Sequence, residues 1–268
     1  MCSLKKIFNL IVILACGFSW ASAQDDENLN DAAPETATLA GDLPSGLGKY
    51  ELKVDEFTHL NVVDGINVEY HCSNDSAGLV NFVTTKDIAS NLLFGTNGKG
   101  KLTIEKAFHP EGEMQLGLPV VHVYSRFLTE VTNAGDSLVR VQAPKATPKF
   151  KATLIGNGKL AVRGLDCGKV DGAIKTGNGT LTLTGECREV VLGNTGVGVI
   201  IADGLKAQKA SCKFFGKGTT GVWATDELII KGMFPGKLYY KGTPGKIRNY
   251  AVGVKLIPMP SDEEIEYE

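Results

Sequence analysis

The sequence predicts an all-β chain: a β-solenoid, wound as a single-stranded right-handed parallel β-helix with coils of about 20 residues. Three observations predict it. Paired glycines recur at a near-constant spacing. The segments between them alternate apolar and polar residues at period two. Helix signals are nearly absent.

The glycine pairs come in order. Gly98-Lys99-Gly100 precedes KLTIEK, and Gly135-Asp136-Ser137 precedes LVRV. Gly156-Asn157-Gly158 precedes KLAVRG, and Gly177-Asn178-Gly179 precedes TLTLTG. Gly196-Val197-Gly198 precedes VIIADG, Gly216-Lys217-Gly218 precedes TTGVWA, and Pro235-Gly236 precedes KLYYKG. From Gly156 onward the first glycines step by 21, 19 and 20 residues. Read from Gly65 to the end of the domain, this period gives roughly nine or ten coils. A coil must turn sharply at fixed places, and glycine takes positive φ at no steric cost. A dinucleotide-binding loop needs a third glycine and a following helix. Here a strand follows each pair, so the glycines read as corners. The sequons at Asn74 and Asn178 read as accidental matches.

Between corners, Leu160 and Val162, Leu181 and Leu183, and Ile200 and Ala202 alternate with polar neighbours. That is strand patterning. A second short strand follows in each coil: VDGAIKT, VVLGNT, AQKASCKFF and LIIKGMF. One coil holds too little apolar surface to stand alone. Stacked coils bury a continuous ladder of Leu, Val and Ile and satisfy each other's backbone groups.

The ends read differently. Lys5 and Lys6, an apolar run at 7–18 and Ala21-Ser22-Ala23 form a secretion signal over residues 1–23. Lipid attachment at Cys16 is the rival processing route. An acidic, flexible leader (24–48) precedes the domain (49–257), and an acidic tail (258–268) follows it. No later run is long and apolar enough for a transmembrane helix. The expected destination is the periplasm, the outer-membrane surface or the outside. A net charge of −2 gives no basic footprint for nucleic acid.

The order of segments resembles a known family. Phe57-Thr58-His59-Leu60-Asn61-Val62 leads into Val63-Asp64-Gly65-Ile66-Asn67-Val68. VHVYSRFLTEVTNAGDSLV, the Gly-x-Gly units and Tyr240, Gly242 and Pro244 follow. This series is similar to the head GIN domain family of putative auto-transporter adhesins, secreted proteins of Gram-negative bacteria. Gly65-Ile66-Asn67 carries the family's name. The resemblance spans about residues 49–257. It implies a β-solenoid in the cell envelope with an adhesin-like role, and it brings no catalytic residues. Family repeats often read Gly-x-Gly-Asp. Here that last slot holds Lys101, Lys159, Thr180, Val199 or Thr219, so a shared row of carboxylates is missing.

Candidate chemistry is sparse. Asp166 and Glu186 fall one coil apart and read as solvated turn residues, with a stacked carboxylate pair as the sharper alternative. His59, His71, His109 and His122 all precede the regular repeats and show no metal-ligand spacing. No G-x-S-x-G elbow occurs. No catalytic, cofactor or metal residue is assigned. Cys167 and Cys187 also lie one coil apart, which permits either a rung-to-rung disulfide or two stacked buried thiols. Aromatics gather late, and they suit either an end plug or a contact patch. The patch would use Phe215, Trp223, Tyr239 and Tyr240, because adjacent aromatics in a strand point one ring outward. Asp75-Ser76-Ala77 and Asp136-Ser137-Leu138 fit a short O-glycosylation acceptor pattern. The structural turn glycines are Gly65, Gly98, Gly100, Gly156, Gly158, Gly177, Gly179, Gly196, Gly198, Gly216, Gly218 and Gly236.

The resulting expectation is a secreted, non-enzymatic envelope protein that binds a surface glycan or an envelope or matrix protein. A self-assembling structural protein and a carbohydrate-active enzyme are the rivals.

Overall fold

A computed structural model describes residues 9–11, 46–107 and 117–260. It is nearly all-β, with 68% in strands and 2% in helix, wound as a parallel β-solenoid of about six turns with coils about 20 residues apart. Most of the signal, most of the leader, most of the acidic tail and His109 lie outside the described residues.

Each regular coil has two arms. One sheet stacks β10 (Leu138–Gln142) on β12 (Lys159–Thr176), β13 (Thr180–Asn194), β14 (Val199–Phe214), β15 (Thr219–Gly232), β16 (Gly236–Lys241) and β18 (Val254–Pro258). The long strands bend mid-way, so their second halves form the opposite sheet with β11 (Thr147–Ile155) and β17 (Lys246–Ala251). All these pairings are parallel and nearly in register. Leu160, Leu181 and Ile200 share one buried column, as do Phe150, Val170, Val190, Ala210 and Leu228. The predicted inward ladder is therefore the core.

The N-terminal half departs from a simple winding, which is why nine or ten coils become about six. β3 (His59–Val63) and β4 (Asn67–Cys72) form one coil. The chain then inserts β5 (Leu79–Thr84), a short helix α1 (Lys86–Ala89) and β6 (Leu92–Asn97). It returns as β7 (Lys101–Lys106) and β8 (Val120–Ser125), which stack on one side of β3 and β4. It then crosses over, so that β9 (Glu130–Ala134) and β10 stack on the other side. The first coil in sequence is thus the second in space. Antiparallel strands close this end: β5 lies against β8 and β2 (Gly48–Lys53), and β6 against β7 and the short β1 (Asn9–Ile11). Tyr50, Phe82 and Phe94 stack beneath, with ring centroids 5.5 and 5.7 Å apart. An aromatic stack with Phe82 and Phe94 buried and Tyr50 half-buried therefore closes the N-terminal end, where the sequence offered an end plug only among the late aromatics.

The predicted corner glycines serve two physical ends. Gly65, Gly100, Gly156 and Gly177 have positive φ, as expected. The others are needed for space. A Cβ on Gly158, Gly179, Gly198 or Gly218 would sit 2.3–2.5 Å from the carbonyl oxygen of the stacked corner glycine one coil below. Gly98 and Gly100 are a correction: both lie in the β6–β7 hairpin rather than at a coil corner, and Gly98 has open space around it. Buried asparagines finish the corners. Asn133 Nδ2 donates to the carbonyls of Ser137 and Lys159, at 2.9 and 3.0 Å. Asn194 Nδ2 donates to those of Gly198 and Thr219, at 2.9 and 3.3 Å.

Gly179→Ala forces its methyl into the Gly158 carbonyl and the Leu154 side chain. It should destabilise the protein by about 1–3 kcal/mol in chemical denaturation. Gly98→Ala should change stability by less than about 0.5 kcal/mol. Equal effects at the two positions would refute the steric account.

Candidate functional site

The coil register sorts the predicted site residues onto surfaces. In the last coils, Phe214 points inward and is fully buried, while Phe215 is 53% exposed. Phe215 follows the register triplet Phe214, Gly232 and Ala251. Met233 and Val252 occupy the equivalent slots one and two coils on, and Phe234 is next to Met233. All are exposed, Met233 by 77% and Val252 by 71%. Val197 projects from the preceding corner, also exposed. Coils stack about 4.8 Å apart, so these side chains form one continuous apolar ridge. Lys213, Lys217, Lys231, Lys237 and Lys255 flank it, all exposed. Segments 193–201, 211–219, 229–238 and 249–257 contain no Asp or Glu. A chain with net charge −2 thus presents a corner that is apolar at its crest and purely basic at its sides.

The other predicted aromatics divide. Tyr239 points outward, half-buried, in the row with Gly221 and Ile201. Trp223 also faces out, but Lys241 Nζ sits 4.6 Å from its ring centroid and Lys206 Nζ 5.8 Å. Cations already occupy that ring face. Tyr240 is a correction: it packs against the core at the C-terminal end.

At the mid-coil bend, Asp166 and Glu186 stack as their spacing predicted, but the next residue in the column is Lys206. Both carboxylates are exposed. With Arg188, Thr225 and Asp226 they line an open depression of about 390 Å³. The two stacked carboxylates are exposed and are followed by a lysine, which fits solvated turn residues. Beside it, Lys169 Nζ meets Glu189 Oε1 at 2.9 Å, and this hydrogen bond raises the lysine pKa. Cys167 and Cys187 are register partners, and both are buried free thiols. The disulfide alternative is not formed here. Ser76 sits in an accessible turn, its amide donating to Ser73 Oγ, whereas Ser137 is buried and closed to modification.

One constellation escaped the sequence. The outward face of β4 carries Glu69 and His71, and β8 pairs His122 with Glu69. His71 Nε2 and His122 Nδ1 are 3.1 Å apart, and His122 Nδ1 is 3.6 Å from Glu69 Oε2. Partial burial lowers the His71 pKa, and the His122 ring lowers it further, against the pull of Glu69. The two histidines are 51 residues apart in the chain. The inserted β5, α1 and β6 separate two coils that stay stacked, so no local spacing could have announced them.

Residues 56–244 match the family profile described as putative auto-transporter adhesin, head GIN domain. The chain belongs to this head GIN domain family. No curated protein matches it. Among solved structures, it is similar to a putative adhesin from Bacteroides fragilis, with TM-score 0.69 and 19% identity over 81% of this chain and 97% of that one. A putative lipid binding protein from Parabacteroides distasonis gives TM-score 0.64 and 17% identity, over 81% and 98%. A putative adhesin from Parabacteroides merdae gives 0.60 and 18%, over 81% and 97%. At such identities the likeness carries the fold alone. The residues that name the head GIN domain now have physical roles. Gly65 turns the corner with φ 73°, Ile66 is fully buried, and Asn67 Oδ1 accepts the Leu138 amide of the next coil at 3.0 Å. The triplet is a corner device rather than a binding site.

The thiols make this arrangement testable. Cys72 is exposed, whereas Cys167, Cys187 and Cys212 are buried. Burial pushes the Cys187 and Cys212 thiols up to about 12, which suppresses the reactive thiolate. In a chain starting at Gln24, Ellman's reagent should titrate only Cys72 under native conditions at pH 8. All four should react in denaturant without reductant. Loss of two thiols from the denatured total would establish the Cys167–Cys187 bridge instead.

Proposed function

We propose that this head GIN protein is an exported, non-catalytic binding module that attaches to an anionic, amphiphilic surface of the cell envelope. The observation that carries this reading is the lysine-flanked apolar ridge of Phe215, Met233, Phe234 and Val252. Exposed apolar surface concentrated in one strip marks an interaction site. Lysines near a surface of anionic headgroups contribute about 1 kcal/mol each, and the absence of carboxylates leaves that attraction unopposed. The coils hold the ridge rigid, so its contacts act together without a large ordering cost. Family membership as adhesins supports a binding role. The lipid binding protein among the similar structures is consistent with an amphiphilic partner. Among the described residues no helix is long and apolar enough to cross a membrane.

The measurement is co-sedimentation with phosphatidylcholine vesicles, with and without phosphatidylglycerol, using the chain from residue 24. A glycan and matrix-protein array serves as the parallel arm. Binding should require the anionic lipid and fall with added salt. Lys213→Glu with Lys231→Glu should weaken it about tenfold or more, and Phe215→Ser with Met233→Ser should abolish it. Array binding that survives both pairs, with no vesicle binding, would move the site off the ridge and return the reading to a glycan or protein ligand.

A further inference from the structure

We propose that Glu69, His71 and His122 form a binding site for a divalent transition metal of the zinc, copper or nickel kind. This is independent of the ridge, which lies among the C-terminal coils.

The donor set comes first. Two imidazoles and one carboxylate favour borderline cations over calcium or magnesium, which prefer all-oxygen shells. The ligand atoms of the three residues all lie within 4.8 Å of one another. Tetrahedral zinc with bonds of about 2.0–2.1 Å has ligand–ligand edges of about 3.3 Å. The edges of 3.1 Å, between His71 Nε2 and His122 Nδ1, and 3.6 Å, between His122 Nδ1 and Glu69 Oε2, bracket that value. A metal ion between them would replace the shared proton of the His–His contact and demand only small side-chain movement.

The support is already built. All three residues sit on strands inside a sheet, with β10 on one side and β5 on the other. Such placement fixes ligands more closely than a loop would. Arg140 Nη1 holds Glu69 Oε1 at 2.5 Å, leaving Oε2 turned to the histidines. Tyr124 stacks on His71, with ring centroids 4.9 Å apart and planes 21° from parallel. These contacts orient the first ligands as outer-shell partners do in metal proteins. Three protein ligands leave one position for water or for a donor from a bound molecule. The residues are part-exposed, so an ion could enter from solvent.

The experiment is zinc calorimetry at pH 7.5 on the metal-free chain from residue 24. It is done in a Cys72→Ser background, so that the exposed thiol is not read as the site. One equivalent of zinc should bind and raise Tm. His71→Asn and His122→Asn should each lower affinity about tenfold or more. Glu69→Gln, the variant least disturbing to the ring stack, should lower it as well. Copper(II) should give an electron paramagnetic resonance spectrum with two coupled imidazole nitrogens, and one nitrogen after either histidine change. No zinc binding, or binding unchanged by all three substitutions in variants that keep the strand circular dichroism, would overturn the proposal.

Discussion

The structure depends on one close approach: backbone against backbone at the coil corner. Parallel strands stack about 4.8 Å apart, and at the corner each coil turns directly over the one below. The carbonyl of one corner glycine then occupies the space where the next would carry a Cβ, as Gly158 does beneath Gly179 and Gly179 beneath Gly198. Positive φ alone would have tolerated asparagine at some of these places. The contact tolerates no side chain. The Gly158, Gly179, Gly198 and Gly218 corners are pinned in this way, which holds the regular coils in register, and a one-residue slip would turn every inward side chain to solvent.

Fixed register then converts sequence spacing into surface columns. Residues about 20 apart become neighbours: Cys167 beneath Cys187, Lys169 beneath Glu189, Asp166 beneath Glu186 beneath Lys206. In the regular half this arithmetic was legible, because period and winding agree. Leu160, Leu181 and Ile200 could be placed in the wall from glycine spacing and alternation alone. In the N-terminal half the arithmetic fails for a definite reason. The inserted β5, α1 and β6 separate two coils that remain stacked, and the crossover puts β4 between β8 and β10. His71 and His122 therefore meet across 51 residues. Their signal was long-range pairing, which one sequence does not display. Asn133 and Asn194 were missed for another reason. A buried asparagine in a strand reads as a polar outlier until its amide is seen to satisfy carbonyls of the corner and the neighbouring coil.

The two ends of the stack meet solvent differently. At the N-terminal end, antiparallel strands and the Tyr50–Phe82–Phe94 stack cover the core, so no parallel edge is left open there. At the other end, β17 and β18 are the last described rungs. Ile247 occupies the inward column of Leu228 and Val190, yet it is 43% exposed. Tyr240 and Leu256 pack against the core there without closing it. The apolar ridge grows toward this same end, through Phe215, Met233 and Val252. A solenoid must give up apolar surface somewhere, and here the loss is confined to the last coils.

This asymmetry bears on how a binding surface arises on such a scaffold. Inward positions are fixed by the ladder, and corner positions by the glycine contact. Only outward residues and the residues just before and after each corner are free to vary without unwinding the coil. Phe215, Met233 and Val252 occupy one such slot in successive coils, and the lysines occupy its neighbours. Gly65, Ile66 and Asn67 are the opposite case. Each is committed to the corner, to the core or to the next coil's backbone, which leaves none of them for a ligand. The family's naming residues therefore specify the scaffold. Recognition in this protein has to be read from the outward slots, where the sequence is under the least structural constraint.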